Sequence, residues 1–421
     1  MHKEIIVTVD IGTSKIVAAA GEKDEKGVIH ILALETEAAK TFVRRGRIYS
    51  IVEVNRKITS LLNRLNNKLN EKIVKVYVGI GGQSLITAKK SEGTVRNEEL
   101  FQPLCEKCDV GHPDLIILGN PAIKRDINKC ICNGDMEITG YFIAPVATAI
   151  ATLTDYEKNQ GCALIEFGAG VTYLSVYKNN LLEYLVTIPI GADVITKDIT
   201  LLKEITEEDA EDLKITYGHA LASSRKENDY PKKITANDKE IDTEDFNNII
   251  EARVDEIIAN INNQLELSGF SNALASGIVI AGGGAALKSL AESIEEKTKQ
   301  KVRIATVKEE LIDVDSLKYI HLSGIEETIG LLSLGTENCV KKPEIPIIQS
   351  TITENFTDSL FKAGEIEVVE KEKKGKRKPP PPPVEKEDDK KNKILTLFDR
   401  LSKGLFAEED STDKENENEK K

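Results

Sequence analysis

Tryptophan is absent from this 421-residue chain, and all aromatics together make up only 5% of it. With 40% hydrophobic and 30% charged residues, that is the profile of a soluble globular protein with some disorder attached. A basic excess is missing as well. The formal net charge of −13 excludes a general nucleic-acid binder, which would present a basic face. No run approaches the roughly 18 apolar residues needed to span a bilayer. The start, "MHKEIIVTVDIGTSK", enters a β-like apolar run almost at once and offers no small-residue cleavage site, so no signal peptide is expected. A cytosolic body follows as the expectation, with its six cysteines mostly reduced.

What is present is an α/β pattern. Alternation at Ile5, Val7 and Val9 predicts a strand that ends at "DIGTSK". In "VEVNRKITSLLNRLNNKL", Val54, Ile58, Leu61, Leu62, Leu65 and Leu69 fall on one helical face. The strand "IVKVYVGIGG" comes next, and the strand–loop–helix–strand order then recurs. At this length two domains plus tails are expected.

Three strands end in small residues, which places their turns on one edge of the sheets, where open α/β folds take ligands. In "VDIGTSK" a glycine lets the backbone curl close to a phosphate, with Thr13 and Ser14 as donors. Asp10 could orient water around a magnesium ion, and Lys15 could offset phosphate charge. The other reading is a plain strand-to-turn junction. "CALIEFGAGVTYLSVYKNN" is a glycine hairpin of similar shape. In "GIVIAGGGAALKSL", Gly282, Gly283 and Gly284 each cost backbone entropy, which close approach of a ligand and the N-terminus of a following helix would justify. The alternative is a tight loop that needs positive φ.

In this order the pieces resemble the actin-like nucleotide-binding superfamily. "DIGTSK" is similar to its first phosphate loop, "IEFGAGVT" to its second and "IAGGGAAL" to its adenosine loop. "IPIGADVITKDI" (188–199), "EEDAEDLKITYGHAL" (207–221), "IIEARVDEIIANI" (249–261) and "SGIVIAGGGAALKSLAE" (276–292) narrow the resemblance to the FtsA family of bacterial cell-division proteins. It covers roughly residues 3 to 338 and a short C-terminal helix.

The resemblance implies an actin-like two-lobed ATPase fold of duplicated ribonuclease-H-like domains. It puts the first lobe at 1–190 and 310–338, with a reduced inserted subdomain at about 86–140, and the second at 191–309. It implies ATP and Mg²⁺ as ligands, with Asp10, Gly12, Thr13 and Ser14 facing phosphates and metal, and Lys15 beside them. Glu166, Gly168, Gly170 and Thr172 would form the opposing hairpin. Glu211 and Lys214 would lie near ribose and adenine, with Gly282, Gly283 and Gly284 under the nucleotide. Read alone, Glu211 and Lys214 are an i,i+3 surface ion pair.

The pattern departs from the family in two places. The second loop has Glu166, Ala169, Val171 and Tyr173 where relatives often carry Asp, Gly, Thr and Asp. Ala144, just before Pro145 in "IAPVATAIATL", replaces a water-orienting glutamate. Loss of such a group costs about 10²- to 10⁴-fold in rate, so ATP is expected to bind and to turn over slowly or not at all. The stretch between "YVGIGG" and "ITGYFIAPVA" is also markedly shorter than the family's inserted subdomain. It holds Cys105-x-x-Cys108 and Cys130-x-Cys132, a spacing open to shared zinc, although reduced, partly buried thiols are the reading taken. Cys162 and Cys339 read as isolated core cysteines.

Residues 339–390, with "KEKKGKRK" and a five-proline run, read as a disordered linker. In 391–406, Ile394, Leu397, Phe398, Leu401 and Leu405 share one face of a helix about 24 Å long. That is too short to span a bilayer but suited to lie in its surface. The acidic 407–421 reads as disordered. The resemblance implies a division-site tether: it would bind ATP, self-associate, join other division proteins, and hold the FtsZ C-terminal tail at the inner membrane, the tail docking near "IIEARVDEIIANINNQL". The alternatives are a small-molecule kinase or phosphatase of the same superfamily, or a pilus-assembly actin-like adaptor.

Overall fold

The computed structural model describes residues 4–89, 102–103, 115–132, 136–221, 231–322 and 324–341. Cys105, Cys108 and everything from residue 342 on, including the 391–406 helix, lie outside the described residues.

The first sheet has β1 (Ile5–Ile11), β2 (Lys15–Lys23), β3 (Ile29–Ala38), β4 (Lys75–Ile80) and, after an excursion, β7 (Glu137–Ile143). Its order is β7-β4-β1-β2-β3. β1 and β2 pair antiparallel, as do β2 and β3, while β4 runs parallel to both β1 and β7. The strand expected from the alternation at Ile5, Val7 and Val9 is present, and Ile5, Ile6, Val7, Thr8 and Val9 are all buried. β1 is central and covered on both faces, as strands with parallel neighbours usually are.

The second sheet repeats this plan. Within it, β8 (Cys162–Phe167), β9 (Thr172–Lys178) and β10 (Leu181–Ile188) form the antiparallel trio, and β11 (Ile278–Ala281) and β12 (Val302–Ile304) add in parallel beside β8. Two strands of the inserted segment, β5 (Ile86–Lys89) and β6 (Leu115–Gly119), extend this sheet past β10, with a two-residue strand at Gln102–Pro103 beyond them.

Division between the sheets therefore falls before Cys162 and not near residue 190. Strands 162–188 carry side chains alternately into both cores. Leu164, Tyr173 and Leu185 pack with the first, and Ile165, Leu174 and Ile188 with the second. A period of two sends neighbouring residues to opposite faces, so one strand serves both cores.

Helices cover the sheets. α1 (Ile51–Leu69) buries Val54, Ile58, Leu61, Leu62 and Leu65, with Leu69 half-buried; Ser50 caps it by accepting from the Glu53 N–H, and Asn70 ends it in the left-handed region. α2 (Pro121–Ile131) belongs to the inserted segment and carries Cys130 at 0% exposure. α3 (Ala144–Thr152) follows β7, and α4 (Asp155–Gln160) leads to β8. α5 (Ala192–Lys203), α6 (Glu207–Tyr217), α7 (Thr243–Ser268) and α8 (Leu290–Thr298) enclose the second core, where α7 buries Phe246, Ile250, Val254, Ile257, Ile258, Ile261 and Leu265. α9 (Ile325–Leu334) returns to the first sheet and presses Gly330 against the Ala147 backbone of α3, where a Cβ would meet the Ala147 carbonyl oxygen at 2.0 Å. Among the described residues no helix is long and apolar enough to cross a membrane.

Candidate functional site

Both sheets turn their β1–β2 and β8–β9 hairpins toward each other, and a cleft of about 540 Å³ lies between them. That is within the usual range for a small-molecule site. All but one of the residues singled out from the sequence line it: Asp10, Gly12, Thr13, Ser14 and Lys15 on the first turn, Glu166, Gly168 and Gly170 on the second, Gly282, Gly283 and Gly284 on the third, and Glu211 and Lys214 on α6.

The exception is Thr172. It is fully buried, and its hydroxyl donates to the Ile190 carbonyl at 2.8 Å, so it stabilises the approach to α5 and does not face a ligand.

Close packing explains the small residues. A Cβ on Gly170 would lie 2.6 Å from Thr13 Oγ1, so the first two turns touch. Gly282 has φ +82 and would place a Cβ 2.6 Å from the Phe167 carbonyl oxygen, which ties the third turn to the second. The chain after the third turn differs from the expectation of a helix starting there. Gly283–Ala286 is a 3₁₀ turn, and α8 begins only at Leu290. Donor counting from sequence also needs correction. The N–H groups of Gly12 and Gly168 close their own turns onto the carbonyls of Lys15 (3.0 Å) and Val171 (2.9 Å).

Lys214 is no surface partner of Glu211. Its side chain is 8% exposed, and its Nζ donates to Thr196 Oγ1 at 2.8 Å, to Glu211 Oε2 at 2.9 Å and to the Ala192 carbonyl at 3.3 Å. Burial acts upward on the Glu211 carboxyl, but Lys214 and the Thr196 hydrogen bond outweigh it and hold Glu211 below its ordinary value.

Sequence reasoning missed several lining residues. Lys40, just past β3, reaches Glu207 Oε1 at 2.8 Å and Asp193 Oδ1 at 3.8 Å, and so links the first sheet to α5 and α6. Nothing in its sequence context marks it. Tyr173 stands opposite Glu166 across the hairpin, and its hydroxyl accepts from the Gly82 N–H at 2.5 Å. Burial raises that phenol well above its ordinary value and keeps it neutral. Glu327 on the first turn of α9 also lines the cleft. From sequence, Glu326 and Glu327 read as ordinary acids at a helix N-terminus, where they favour the macrodipole.

Electrostatics gather around Asp10. Burial raises its carboxyl, opposed by a hydrogen bond with Glu327 and by Lys15. Burial pushes Glu166 up to about 7, with Asp10 and Glu326 adding repulsion and Thr148 opposing. Burial also raises Glu327 well above the usual range, reinforced by Asp10 and Glu166, and lowers the Lys15 ammonium. Oε2 of Glu166 and Oε1 of Glu327 are buried without a hydrogen-bond partner. Carboxylate oxygens left in this condition are the donors a hard divalent cation takes, so the residues fit Mg²⁺. Ala144, 3% exposed, lines the cleft at the start of α3 and offers no polar group.

Cys130 and Cys132 do not converge. Cys130 is buried with its thiol toward the Ile51 carbonyl (3.8 Å), whereas Cys132 is exposed.

Residues 163–324 match the family model described as Cell division protein FtsA. The chain is 28% identical over 386 residues to the cell division protein FtsA of Porphyromonas gingivalis, covering 80% of this chain and 79% of that one. Identity to the Bacillus subtilis cell division protein FtsA is 26% over 353 residues, or 72% and 79% of the two chains. The chain is thus similar to FtsA cell-division proteins over most of its length.

Two solved structures share the fold of this chain. The PilM-PilN type IV pilus biogenesis complex superposes with a TM-score of 0.59 at 14% identity, covering 78% of this chain and 97% of that one. The ethanolamine utilization protein EutJ from Carboxydothermus hydrogenoformans gives 0.52 at 14% identity, with 80% and 91% covered. The fold is that of the actin-like ATPases, in line with the repeated sheet plan of this chain.

Proposed function

We propose that this FtsA-like protein binds ATP with Mg²⁺ in the cleft, self-associates, and holds FtsZ at the cytoplasmic face of the inner membrane during division. The observation that carries the nucleotide part is the meeting of three small-residue turns around one cleft, with Gly170 against Thr13 and Gly282 against Phe167. Asp10 and Glu166 would hold the metal, and the metal would neutralise phosphate charge. Thr13 and Ser14 would grip phosphates from one side and the 168–170 turn from the other. Lys214 and Glu211 sit where they would orient the sugar and base. Their mutual ion pair and the Thr196 contact hold both side chains in place beforehand.

Hydrolysis is slow or absent in this reading. Ala144 cannot position water, and Tyr173, neutral and bonded to the Gly82 N–H, cannot act as a base. Robust Mg²⁺-dependent phosphate release by the purified protein would contradict this.

Membrane attachment rests on the apolar face of Ile394, Leu397, Phe398, Leu401 and Leu405 at the end of a long tether. One such helix binds reversibly, and several in a polymer add avidity. Co-sedimentation with anionic liposomes, with an FtsZ C-terminal peptide present, tests the whole reading. The full chain should carry the peptide to the pellet. Deletion of 391–421, or Phe398→Glu with Leu401→Glu, should leave peptide binding intact and abolish pelleting. Pelleting that survives either change rules out the helix as anchor.

A further inference from the structure

The acidic residues of the cleft outnumber what one lysine can balance. Asp10 from β1, Glu166 from β8 and Glu327 from α9 interact with one another, Glu326 adds repulsion on Glu166, and Lys15 is the cation that acts on Asp10, Glu326 and Glu327. Like charges are not brought together in a covered site without something to offset them. Two atoms point to what is missing. Glu166 is 7% exposed and lines the cleft, and its buried Oε2 has no hydrogen-bond partner. Glu327 Oε1 is likewise buried and unpartnered, although other parts of that side chain reach the cleft.

The fold makes room for Glu327. Gly79 near the end of β4 has no side chain, and a Cβ there would lie 3.0 Å from Leu331 Cδ1, 3.1 Å from Glu327 Oε1 and 3.5 Å from Asp10 Oδ1. Both oxygens therefore flank one small space beside the first turn. Beside it, α3 begins with Ala144, which lines the cleft and offers only apolar surface. α9 packs directly on α3, so a carboxylate from α9 enters the region that the start of α3 leaves without one.

We propose that Glu327 is a further residue of the divalent-cation site, acting with Asp10 and Glu166 directly or through the ion's water shell. Mg²⁺ keeps several waters and is held by a few carboxylates, which suits oxygens spread around a space instead of converged on a point. The inference rests on the nucleotide reading only in placing the cation beside phosphate. The carboxylates would bind the ion more weakly without it.

Mn²⁺ is the probe, titrated into the full-length protein and followed by electron paramagnetic resonance, with and without a non-hydrolysable ATP analogue. Glu327→Gln keeps the shape and removes the charge, and should weaken Mn²⁺ binding by about 10- to 100-fold, the cost usual for removing a supporting group of a metal site. Glu327→Asp, which keeps the charge, should lose less. In chelator, Glu327→Gln should melt at or above the wild-type temperature, because the cost of burying this carboxyl has gone while an amide can still donate to Asp10. Unchanged Mn²⁺ affinity in Glu327→Gln overturns the proposal, and a lowered melting temperature with unchanged affinity assigns the residue a structural role. A fluorescent ATP measured in saturating Mg²⁺ with the wild-type protein separates the two levels. If it fails to bind, the nucleotide reading falls, while the Mn²⁺ order of wild type, Asp and Gln in nucleotide-free protein still decides the role of Glu327.

Discussion

Gly170 and Thr13 hold the two phosphate-type turns in contact: the site of a Cβ on Gly170 lies 2.6 Å from Thr13 Oγ1 and 2.9 Å from the Arg45 N. Gly170→Ala must therefore push the turns apart. Overpacking of this kind costs about 1–3 kcal/mol. Denaturant unfolding should register that loss, and fluorescent-ATP affinity should fall with it. Equal affinity in the variant would mean that the contact has no part in forming the cleft.

Lys214 offers a second test. Its Nζ bonds Thr196 and Glu211 in a covered setting, and Lys214→Met leaves the half-covered Glu211 without its cation. An unsatisfied polar partner costs about 1–3 kcal/mol. Since Glu211 is held below its ordinary value in the folded protein, its stabilising contribution is present above the usual carboxylate range and is lost as pH falls through it. Stability measured from pH 7 to pH 3 should fall less steeply in Lys214→Met than in the parent.

Glu166 gives the opposite sign. Its folded value is about 7 against 4.5 for an unburied glutamate, so the folded state holds this proton more tightly than the unfolded chain. Stability then falls as pH rises from the ordinary range to about 7, by about 1.4 kcal/mol per pH unit for one group. In chelator, Tm should be higher at pH 5.5 than at pH 7.5. Glu166→Gln or saturating Mg²⁺ should flatten the difference, and a Tm that rises over that interval would refute the assignment.

Thiol labelling checks the cysteines. Burial pushes Cys130 and Cys162 up to about 12 and Cys339 to about 11, whereas Cys132 is exposed. Iodoacetamide at pH 8, read by peptide mapping, should modify Cys132 quickly and those three only on unfolding. Rapid modification of Cys130 would mean that α2 does not pack as described.

The legible part of the molecule was the part governed by local rules. The α1 face and the three turns follow from spacing and from glycine's freedom, and all are in place. Hydroxyl direction was not legible. Thr172 and Thr13 look alike in sequence, but one points to the Ile190 carbonyl and the other to the Gly46 N–H inside the cleft. Nor was Glu327, which is more than 150 residues from Glu166 and meets it only because α9 returns to the first sheet. The placement of 162–188 in the second sheet was hidden for the same reason, since pairing with 278–304 is a long-range choice.

The inserted segment leaves the first sheet after β4, hydrogen-bonds to the outer edge of the second through β5, and comes back as β7. It thus stitches the halves together along a seam that includes Val186 opposite Ile86, the Thr187 N–H on the Leu85 carbonyl at 2.9 Å, the Thr187 hydroxyl on Gly82 and Leu85, the Leu185 N–H on Thr87 Oγ1 at 3.0 Å, and the Gly82 N–H on the Tyr173 hydroxyl. A jaw that opens must strain this stitching first. Amide exchange at 85–87 and 185–187 is accordingly a gauge, readable from outside, of how far the jaws stand apart.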